Sequence, residues 1–240
     1  MCSLRPFVVA ALTLACTTSL AAVPAVTGYA GVLKAAVKDG KVDYAAVKAN
    51  LPALDSYLAA VAAVDARTLG PDAKAFHINA YNALVLREVV RLRDAGPLKS
   101  VLDHKGFFDV KKHRVAGEDL TLNALEEQKL RVPFKDPRIH FAVNCASASC
   151  PVLAPVPYDT ATLDTALDAA TRAYLATPHG LRVGKDGVTL TKLMEWYQAD
   201  FGGADGVRAF VVKHAPPAAR DAVLKGPLAF HDYDWALNAR

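Results

Sequence analysis

Residues 73–96 read AKAFHINAYNALVLREVVRLRDAG. Apolar side chains such as Phe76, Tyr81 and Val85 cover several faces of the helix that this stretch predicts, and a helix that is apolar on all sides is usually buried. Asp72 precedes the stretch as a candidate N-cap, and Gly96 ends it. The sequence therefore predicts one long buried helix at the centre of the fold.

Two asparagines interrupt the apolar surface of this helix. Asn79 and Asn82 are three residues apart, so their side chains share one face. Asparagine is a poor former of helix interiors, and a buried amide requires hydrogen-bond partners. We expect both side chains to bond the backbone of neighbouring loops.

The other segments alternate short helices with short hairpins. The hairpins turn at Ala116-Gly117 and at 185–187, and helices are predicted at 29–40, 51–64, 124–131, 160–177, 192–201 and 206–214. No internal repeat or long linker divides the chain. The predicted class is α+β: a predominantly helical single domain with one core, in which short strands and hairpins surround the buried central helix.

Two local patterns follow the first hairpin. Asn123 and Glu126 match an Asn variant of the capping box, in which the Glu126 side chain accepts a hydrogen bond from the backbone N–H at the start of a helix. RIHFAVN, residues 138–144, alternates Ile139, Phe141 and Val143 with smaller or polar residues, which predicts a buried strand. This strand would lead directly into the loop CASASCP.

The first 22 residues, MCSLRPFVVAALTLACTTSLAA, have the pattern of a secretory signal. Their apolar run is too short to span a bilayer. We therefore expect a globular domain over residues 23–240 in the periplasm or outside the cell. Lipidation at Cys16 is the less favoured alternative, because Thr13 occupies a position where a large aliphatic residue is usual.

Composition excludes some partners and cofactors. The net charge is +4 with neutral histidines, but the basic residues form no cluster on one helix face, so we expect no nucleic-acid partner. A metal site built from His140, Cys145 and Cys150 would lack the two-residue cysteine spacing of common zinc sites. The sequence predicts neither a metal nor another cofactor.

The segment NCASASCP contains both cysteines of the predicted domain, Cys145 and Cys150. Cys150 is a candidate nucleophile with His140 as its acid or base, and Glu126, Asn79 and Asn82 as orienting residues. Backbone N–H groups of residues 146–150 would stabilise an oxyanion. The alternatives are a structural Cys145–Cys150 disulfide, a hydrogen-bonded structural His140, and a redox-active cysteine pair.

Five segments, taken in order, resemble the family called domain of unknown function 547. They are AFHINAYNALVLREVV, LTLNALEEQKLR, DPRIHFAVNCASASCPVL, LTKLMEWYQADFG and FHDYDWALN, and the likeness extends from about Val32 to Asn238. Two positions depart from the family pattern: His77 replaces a common tryptophan, and Glu127 replaces a common histidine. The residues that fit the pattern are Phe76, Asn79, Tyr81, Asn82, Glu126, His140, Ser149, Cys150 and Pro151.

The resemblance implies no settled activity, so function is predicted from the reactive residues alone. The preferred hypothesis is a thiol-dependent hydrolase or acyltransferase that acts on a peptide or amide of the cell envelope. The alternative is a non-catalytic binding or scaffold domain of the envelope, in which Cys145 and Cys150 form a disulfide.

Overall fold

The computed structural model describes residues 23–185 and 187–240. The predicted secretory signal and Cys16 lie outside the described residues. Within the described ranges, no helix has both the length and the apolar character needed to cross a bilayer.

The architecture is α+β, with short strands between helices, as predicted. The helices are α1 Thr27–Ala36, α2 Tyr44–Ala49, α3 Leu51–Ala63, α4 Ala73–Ala95, α5 Leu122–Glu126, α6 Val132–Phe134, α7 Leu163–Leu175, α8 Leu193–Trp196, α9 Gly203–His214 and α10 Pro217–Lys225. The strands are β1 Val37–Lys38, β2 Lys41–Val42, β3 Lys112–Val115, β4 Glu118–Thr121, β5 Leu181–Gly184, β6 Gly187–Leu190 and β7 Leu228–Phe230.

Helix α4 is the buried central helix that the apolar pattern predicts. Side chains on all its faces are buried, among them Ile78, Ala80 and Val89. Helices α2, α3 and α5 pack against it. Its predicted cap is wrong, because the Asp72 side chain makes no capping hydrogen bond and a 3₁₀ turn, Gly70–Asp72, leads directly into the helix.

The strands form three small sheets. β3 and β4 make the predicted antiparallel hairpin, and its turn residues Ala116 and Gly117 both have positive φ, of 47° and 80°. β5 and β6 form the second predicted hairpin, and β7 adds to β6 in parallel. These sheets are too small to form a layer, so helices enclose most of the core.

The apolar core has two parts rather than the single one predicted. The larger part surrounds α4, and the smaller part lies around α9, where Val207 and Val211 pack near the β5–β7 sheet. Phe141 belongs to the smaller part, whereas Ile139 and Ala142 belong to the larger. The segment of residues 137–142 therefore lies between the two parts.

The predicted strand at residues 138–144 is wrong. Residues Pro137–Phe141 form a 3₁₀ helix whose N-cap, Asp136, accepts a hydrogen bond from the Arg138 N–H at 3.1 Å. An aspartate cap followed by proline at the first helical position is a strong local start signal. That signal outweighs the alternating apolar pattern. The prediction of burial is still met, since Ile139, His140 and Phe141 are all buried.

The predicted capping box is also wrong. Thr121, not Asn123, caps α5, because its hydroxyl accepts from the Ala124 N–H at 3.1 Å. Glu126 lies at the C-terminal end of α5, and the π-helical turn Glu127–Arg131 follows it. The Glu126 carboxyl therefore has no capping role and faces a pocket.

Candidate active site

The predicted reactive residues meet at one pocket of about 180 Å³. Cys145, Cys150, His140 and Glu126 all line it. Its remaining walls are largely aromatic and come from distant parts of the chain: Tyr81, Phe108, Trp196, Tyr197, Tyr233 and Trp235.

Backbone hydrogen bonds to the C-terminal segment fix the loop that carries both cysteines. The N–H groups of Ala148 and Ser149 donate to the carbonyls of Ala236 and Asp234, at 2.7 and 3.1 Å. The Asn238 N–H donates to the Ala146 carbonyl at 3.0 Å. Ala146 has a φ of +64°, a left-handed conformation that costs free energy in a residue with a Cβ and persists only where its surroundings enforce it.

These bonds contradict the predicted oxyanion role of the loop. The N–H of Ala146 donates to Asn144 Oδ1 at 2.9 Å, and that of Cys150 donates to the Ser147 carbonyl at 3.1 Å. Since Ala148 and Ser149 are also bonded, four of the five N–H groups proposed for an oxyanion already have protein acceptors. The hydrogen bonds that close this loop of small residues occupy the backbone N–H groups that could otherwise bind an oxyanion.

Cys145 and Cys150 are both free thiols, and their sulfur atoms lie 2.9 Å apart. The Cys145 N–H also donates to Cys150 Sγ at 2.9 Å. Cys150 is 8% exposed, whereas Cys145 is half-buried. The two thiols therefore form a hydrogen-bonded pair, and Cys145 is the more accessible of the two.

Two hydroxyl groups complete the surroundings of Cys145. Its Sγ lies 3.1 Å from Ser147 Oγ and 3.3 Å from the Tyr233 hydroxyl. Ser147 Oγ also donates to the Tyr233 hydroxyl at 3.1 Å. Three polar groups thus surround one sulfur: the Cys150 thiol and the Tyr233 hydroxyl, which can donate to it, and the Ser147 hydroxyl, which donates to Tyr233.

This arrangement gives the two thiols opposite pKa shifts. Burial alone would raise the pKa of Cys145, but hydrogen bonds from Cys150, Ser147 and Tyr233 lower it to about 7. Burial first, and then the neighbouring Cys145 sulfur, raises the pKa of Cys150 well above its usual value. Burial also raises the pKa of Tyr233, so that its hydroxyl keeps its proton. Cys145 is therefore the more acidic thiol of the pair.

His140 is held between two carboxylates. Its Nε2 lies 2.8 Å from Asp200 Oδ2, and its Nδ1 lies 3.7 Å from Glu126 Oε1. The ring stacks on Tyr197 with centroids 4.2 Å apart. Neither ring nitrogen is hydrogen-bonded to a cysteine, so the predicted direct His140–Cys150 pair is not formed in this structure.

The two carboxylates have opposite pKa shifts. Burial raises the pKa of Glu126, although the nearby His140 and Arg131 oppose the rise. The hydrogen bond to His140 lowers the pKa of Asp200, and the ion pair with Arg131, at 2.6 Å, adds to this. Asp200 therefore ionises more readily than an ordinary aspartate, while Glu126 is a buried carboxyl that gains a proton more readily.

The structure confirms the predicted contacts of the two helix asparagines. The Asn82 side chain donates to the Ala142 carbonyl at 2.9 Å and accepts from the Asn144 N–H at 2.8 Å. The Asn79 side chain makes the same pair of bonds, each 2.8 Å, to the backbone of Tyr158. Asn82 thus positions the chain that enters the cysteine loop, while Asn79 fixes a different loop.

Several residues of the site are absent from the sequence prediction: Ser147, Tyr197, Asp200 and Tyr233. Tyr197, Asp200 and Tyr233 belong to two of the segments on which the family resemblance rests, LTKLMEWYQADFG and FHDYDWALN, and this is the signal that could have indicated them. Glu127, which replaces the histidine common in the family, is exposed and does not line the pocket. Among the described residues, no cluster of three or more His, Cys, Asp or Glu is arranged to hold a metal ion.

Comparison with known proteins gives a family match for one segment and no activity. The model of the family described as protein of unknown function, DUF547, matches residues 68–175, and this segment is similar to that family. The matched range contains Glu126, His140 and both cysteines, whereas Asp200 and Tyr233 lie beyond it. No curated protein and no solved structure matches the chain.

Proposed function

We propose that the protein is a thiol-dependent hydrolase or acyltransferase, with Cys145 as the nucleophile. One observation carries the proposal: Cys145 lines a pocket, and the Cys150 thiol and the Tyr233 hydroxyl are placed to donate to its Sγ, at 2.9 and 3.3 Å. Such donors favour the thiolate, which is the nucleophilic form of cysteine. A thiolate near neutral pH, beside a buried carboxyl, is suited to acyl transfer.

The geometry favours Cys145 over Cys150, the predicted nucleophile. Cys150 is more deeply buried, its sulfur already accepts the Cys145 N–H, and it approaches the Val143 carbonyl at 3.9 Å. A protonated Cys150 stabilises the Cys145 thiolate by donating to it. Its role in the proposal is therefore to activate Cys145.

The proposed reaction has two acyl-transfer steps. Cys145 Sγ attacks the substrate carbonyl carbon, and the bond to the leaving amine or alcohol breaks as that group takes a proton from the Glu126–His140 pair. The resulting thioester then reacts with water or another acceptor, which returns its proton to the same pair and releases Cys145. The Tyr233 hydroxyl, which lies 3.3 Å from Cys145 Sγ and accepts from Ser147 Oγ, supplies a donor for the developing oxyanion.

His140 acts in this scheme together with the two carboxylates. Asp200 fixes the orientation of the imidazole through Nε2, so Nδ1 remains directed towards Glu126. This relationship resembles that of a base oriented by a third group in other nucleophilic sites. Glu126, whose pKa is raised by burial, serves as the proton donor to a leaving group.

The pocket walls indicate the substrate class. Trp196, Tyr233 and Trp235 form a cluster with ring centroids 4.8 to 5.8 Å apart, and Trp196 is 45% exposed. We infer an amide, peptide or ester with a small apolar or ring-containing acyl group, since aromatic rings bind such surfaces. We also propose that the protein encounters this substrate in the periplasm or outside the cell, because its first 22 residues resemble a secretory signal.

The experiment is acyl-enzyme trapping with p-nitrophenyl esters of acetic and phenylacetic acid. We expect a burst of p-nitrophenol, an acyl adduct on the peptide that contains Cys145, and a faster reaction with the phenylacetyl ester. Cys145→Ser should abolish the burst, and the exposed-site variant Glu127→Gln should retain it. Absence of any burst, or an adduct only outside residues 145–150, would contradict the proposal.

A non-catalytic binding domain of the cell envelope remains the second candidate. Its support is the 2.9 Å separation of the two sulfur atoms. Only a small movement would bring them to the length of a disulfide bond. In that case both cysteines would be bridged in the purified protein and would not react with the esters. The trapping experiment therefore separates the two functions.

A further inference from the structure

We propose that Cys145 and Cys150 form a dithiol that exchanges with small, uncharged aliphatic disulfides, with Cys145 as the attacking thiol and Cys150 as the resolving thiol. This activity does not rest on the proposed acyl transfer, because it requires both cysteines and no acyl substrate.

The first support is the position of the sulfurs. They lie 2.9 Å apart, and both line the aromatic pocket. The loop between them is already closed, with Ala146 held in a left-handed conformation and hydrogen bonds running from residues 146, 148 and 149 to the C-terminal segment. Bond formation therefore requires the two sulfurs to approach by only about 0.9 Å.

The second support is the asymmetry between the two thiols. Cys145 is half-buried at the pocket and has the Tyr233 and Ser147 hydroxyls beside it. Cys150 lies deeper, at 8% exposure, directly behind it. An accessible, activated cysteine in front of a buried partner is the arrangement that disulfide exchange requires, because only the first thiol must reach an external disulfide.

The exchange has two steps, one for each cysteine. The Cys145 thiolate attacks one sulfur of an external disulfide, R–S–S–R, and forms a mixed disulfide while R–S⁻ leaves and takes up a proton. Cys150 then gives up its proton, attacks Cys145 Sγ and displaces the second R–S⁻, which is protonated in turn. Two electrons pass from the protein dithiol to the external disulfide, which becomes two thiols.

The pocket limits which disulfides can react. A pocket of about 180 Å³ with aromatic walls suits a small aliphatic chain. The titratable side chains that share the pocket with the thiols, Glu126 and His140, face one another, with His140 Nδ1 3.7 Å from Glu126 Oε1. A compact, uncharged disulfide such as bis(2-hydroxyethyl) disulfide is therefore a suitable probe.

The test uses the full-length reduced protein and follows each cysteine by peptide mass spectrometry, so that Cys2 and Cys16 are counted separately. With excess bis(2-hydroxyethyl) disulfide, we expect loss of both alkylatable thiols and formation of a Cys145–Cys150 bridge. Added 2-mercaptoethanol should restore both thiols in the folded protein. Cys150→Ser should stop at the mixed disulfide on Cys145, and Cys145→Ser should form no adduct at Cys150.

Three results would overturn the proposal. They are thiols that stay free in excess disulfide, a bridge that resists 2-mercaptoethanol until the protein unfolds, and a mixed disulfide that accumulates on Cys150 rather than Cys145. None of these measurements uses an acyl substrate, so the failure of the exchange is distinguishable from the failure of the acyl-transfer proposal.

Discussion

The Nε2 atom of His140 lies 2.8 Å from Oδ2 of Asp200, a residue 60 positions later in the chain. The same carboxylate pairs with Arg131 at 2.6 Å, and the Arg131 guanidinium lies over the Tyr197 ring. One carboxylate thus connects the turn after α5, the 3₁₀ helix that carries His140, and the segment after α8. The orientation of His140 in the pocket depends on this connection.

Replacing Asp200 should destabilise the protein in a pH-dependent way. Its pKa is depressed in the folded state by His140 and then Arg131, so its contribution to stability is present above the unfolded pKa, about 3.9, and is lost as the pH falls below it. At neutral pH we expect Asp200→Asn to cost about 1 kcal/mol, an estimate reduced for solvent screening because the side chain is 25% exposed.

The measurement is urea unfolding of the wild type and Asp200→Asn from about pH 7 to pH 3. The difference in unfolding free energy should shrink towards the acidic end. Asp109→Asn, at an exposed position, should show no comparable difference at any pH. A difference for Asp200→Asn that stays constant with pH would contradict the ion-pair account.

Glu126→Gln should reduce activity without reducing stability. Burial raises the pKa of Glu126, so the folded state is disfavoured when this carboxyl ionises, and the penalty grows as pH rises above about 4.3. Glutamine removes that penalty and also removes the proton donor. We expect kcat for the p-nitrophenyl esters to fall by about 100- to 10,000-fold, and stability at neutral pH to be equal or greater.

The control for this variant is its neighbour in the chain, Glu127→Gln. Glu127 is exposed, so its replacement should leave both kcat and the unfolding midpoint nearly unchanged. If Glu126→Gln instead lowered stability and left kcat intact, Glu126 would be a structural residue.

The central helix was predictable because its signals are local. An apolar surface on all sides specifies burial of α4, and paired turn residues specify the hairpin at Ala116-Gly117. The amides of Asn79 and Asn82 were predicted to bond loop backbone for the same reason: a buried polar group requires partners. Only the identity of those partners needed the structure.

The composition of the site was only partly predictable, because its contacts join distant segments. Tyr233 lies 88 residues after Cys145, and no periodicity in either segment connects them. The choice between the two thiols depends on that contact. The error at residues 137–141 has another cause: Asp136 and Pro137 start a 3₁₀ helix at a stretch whose apolar alternation equally suits a strand.

Asn82→Ala and Asn79→Ala should destabilise the protein to a similar degree but differ at the thiols. Each removes the partners of one buried carbonyl and one buried N–H, at about 1 to 3 kcal/mol per unsatisfied group, or roughly 2 to 6 kcal/mol in total. Only Asn82 holds the backbone that enters Cys145. Alkylation of Cys145 should therefore slow in Asn82→Ala and not in Asn79→Ala.

Iodoacetamide labelling under native conditions, with unfolding curves for both variants, makes this comparison. Asn79→Ala serves as the matched control, since it loses the same kind of bonds at the loop of Tyr158. Equal labelling rates in the two variants would mean that Asn82 stabilises the fold but does not position Cys145.

Tyr233→Phe should raise the pKa of the Cys145 thiol. The Tyr233 hydroxyl lies 3.3 Å from Cys145 Sγ, and it is one of the donors that, against the opposing effect of burial, lower this pKa to about 7. Without the hydroxyl, we expect the midpoint of the iodoacetamide rate against pH to move up towards the free-thiol value of about 8.5. Phenylalanine keeps the ring packing against Trp196 and Trp235, so the pocket should retain its shape. Tyr57→Phe, at a core tyrosine stacked on Tyr29, should leave the midpoint at the wild-type value. An unchanged midpoint in Tyr233→Phe would assign the acidity of Cys145 to Cys150 and Ser147 instead.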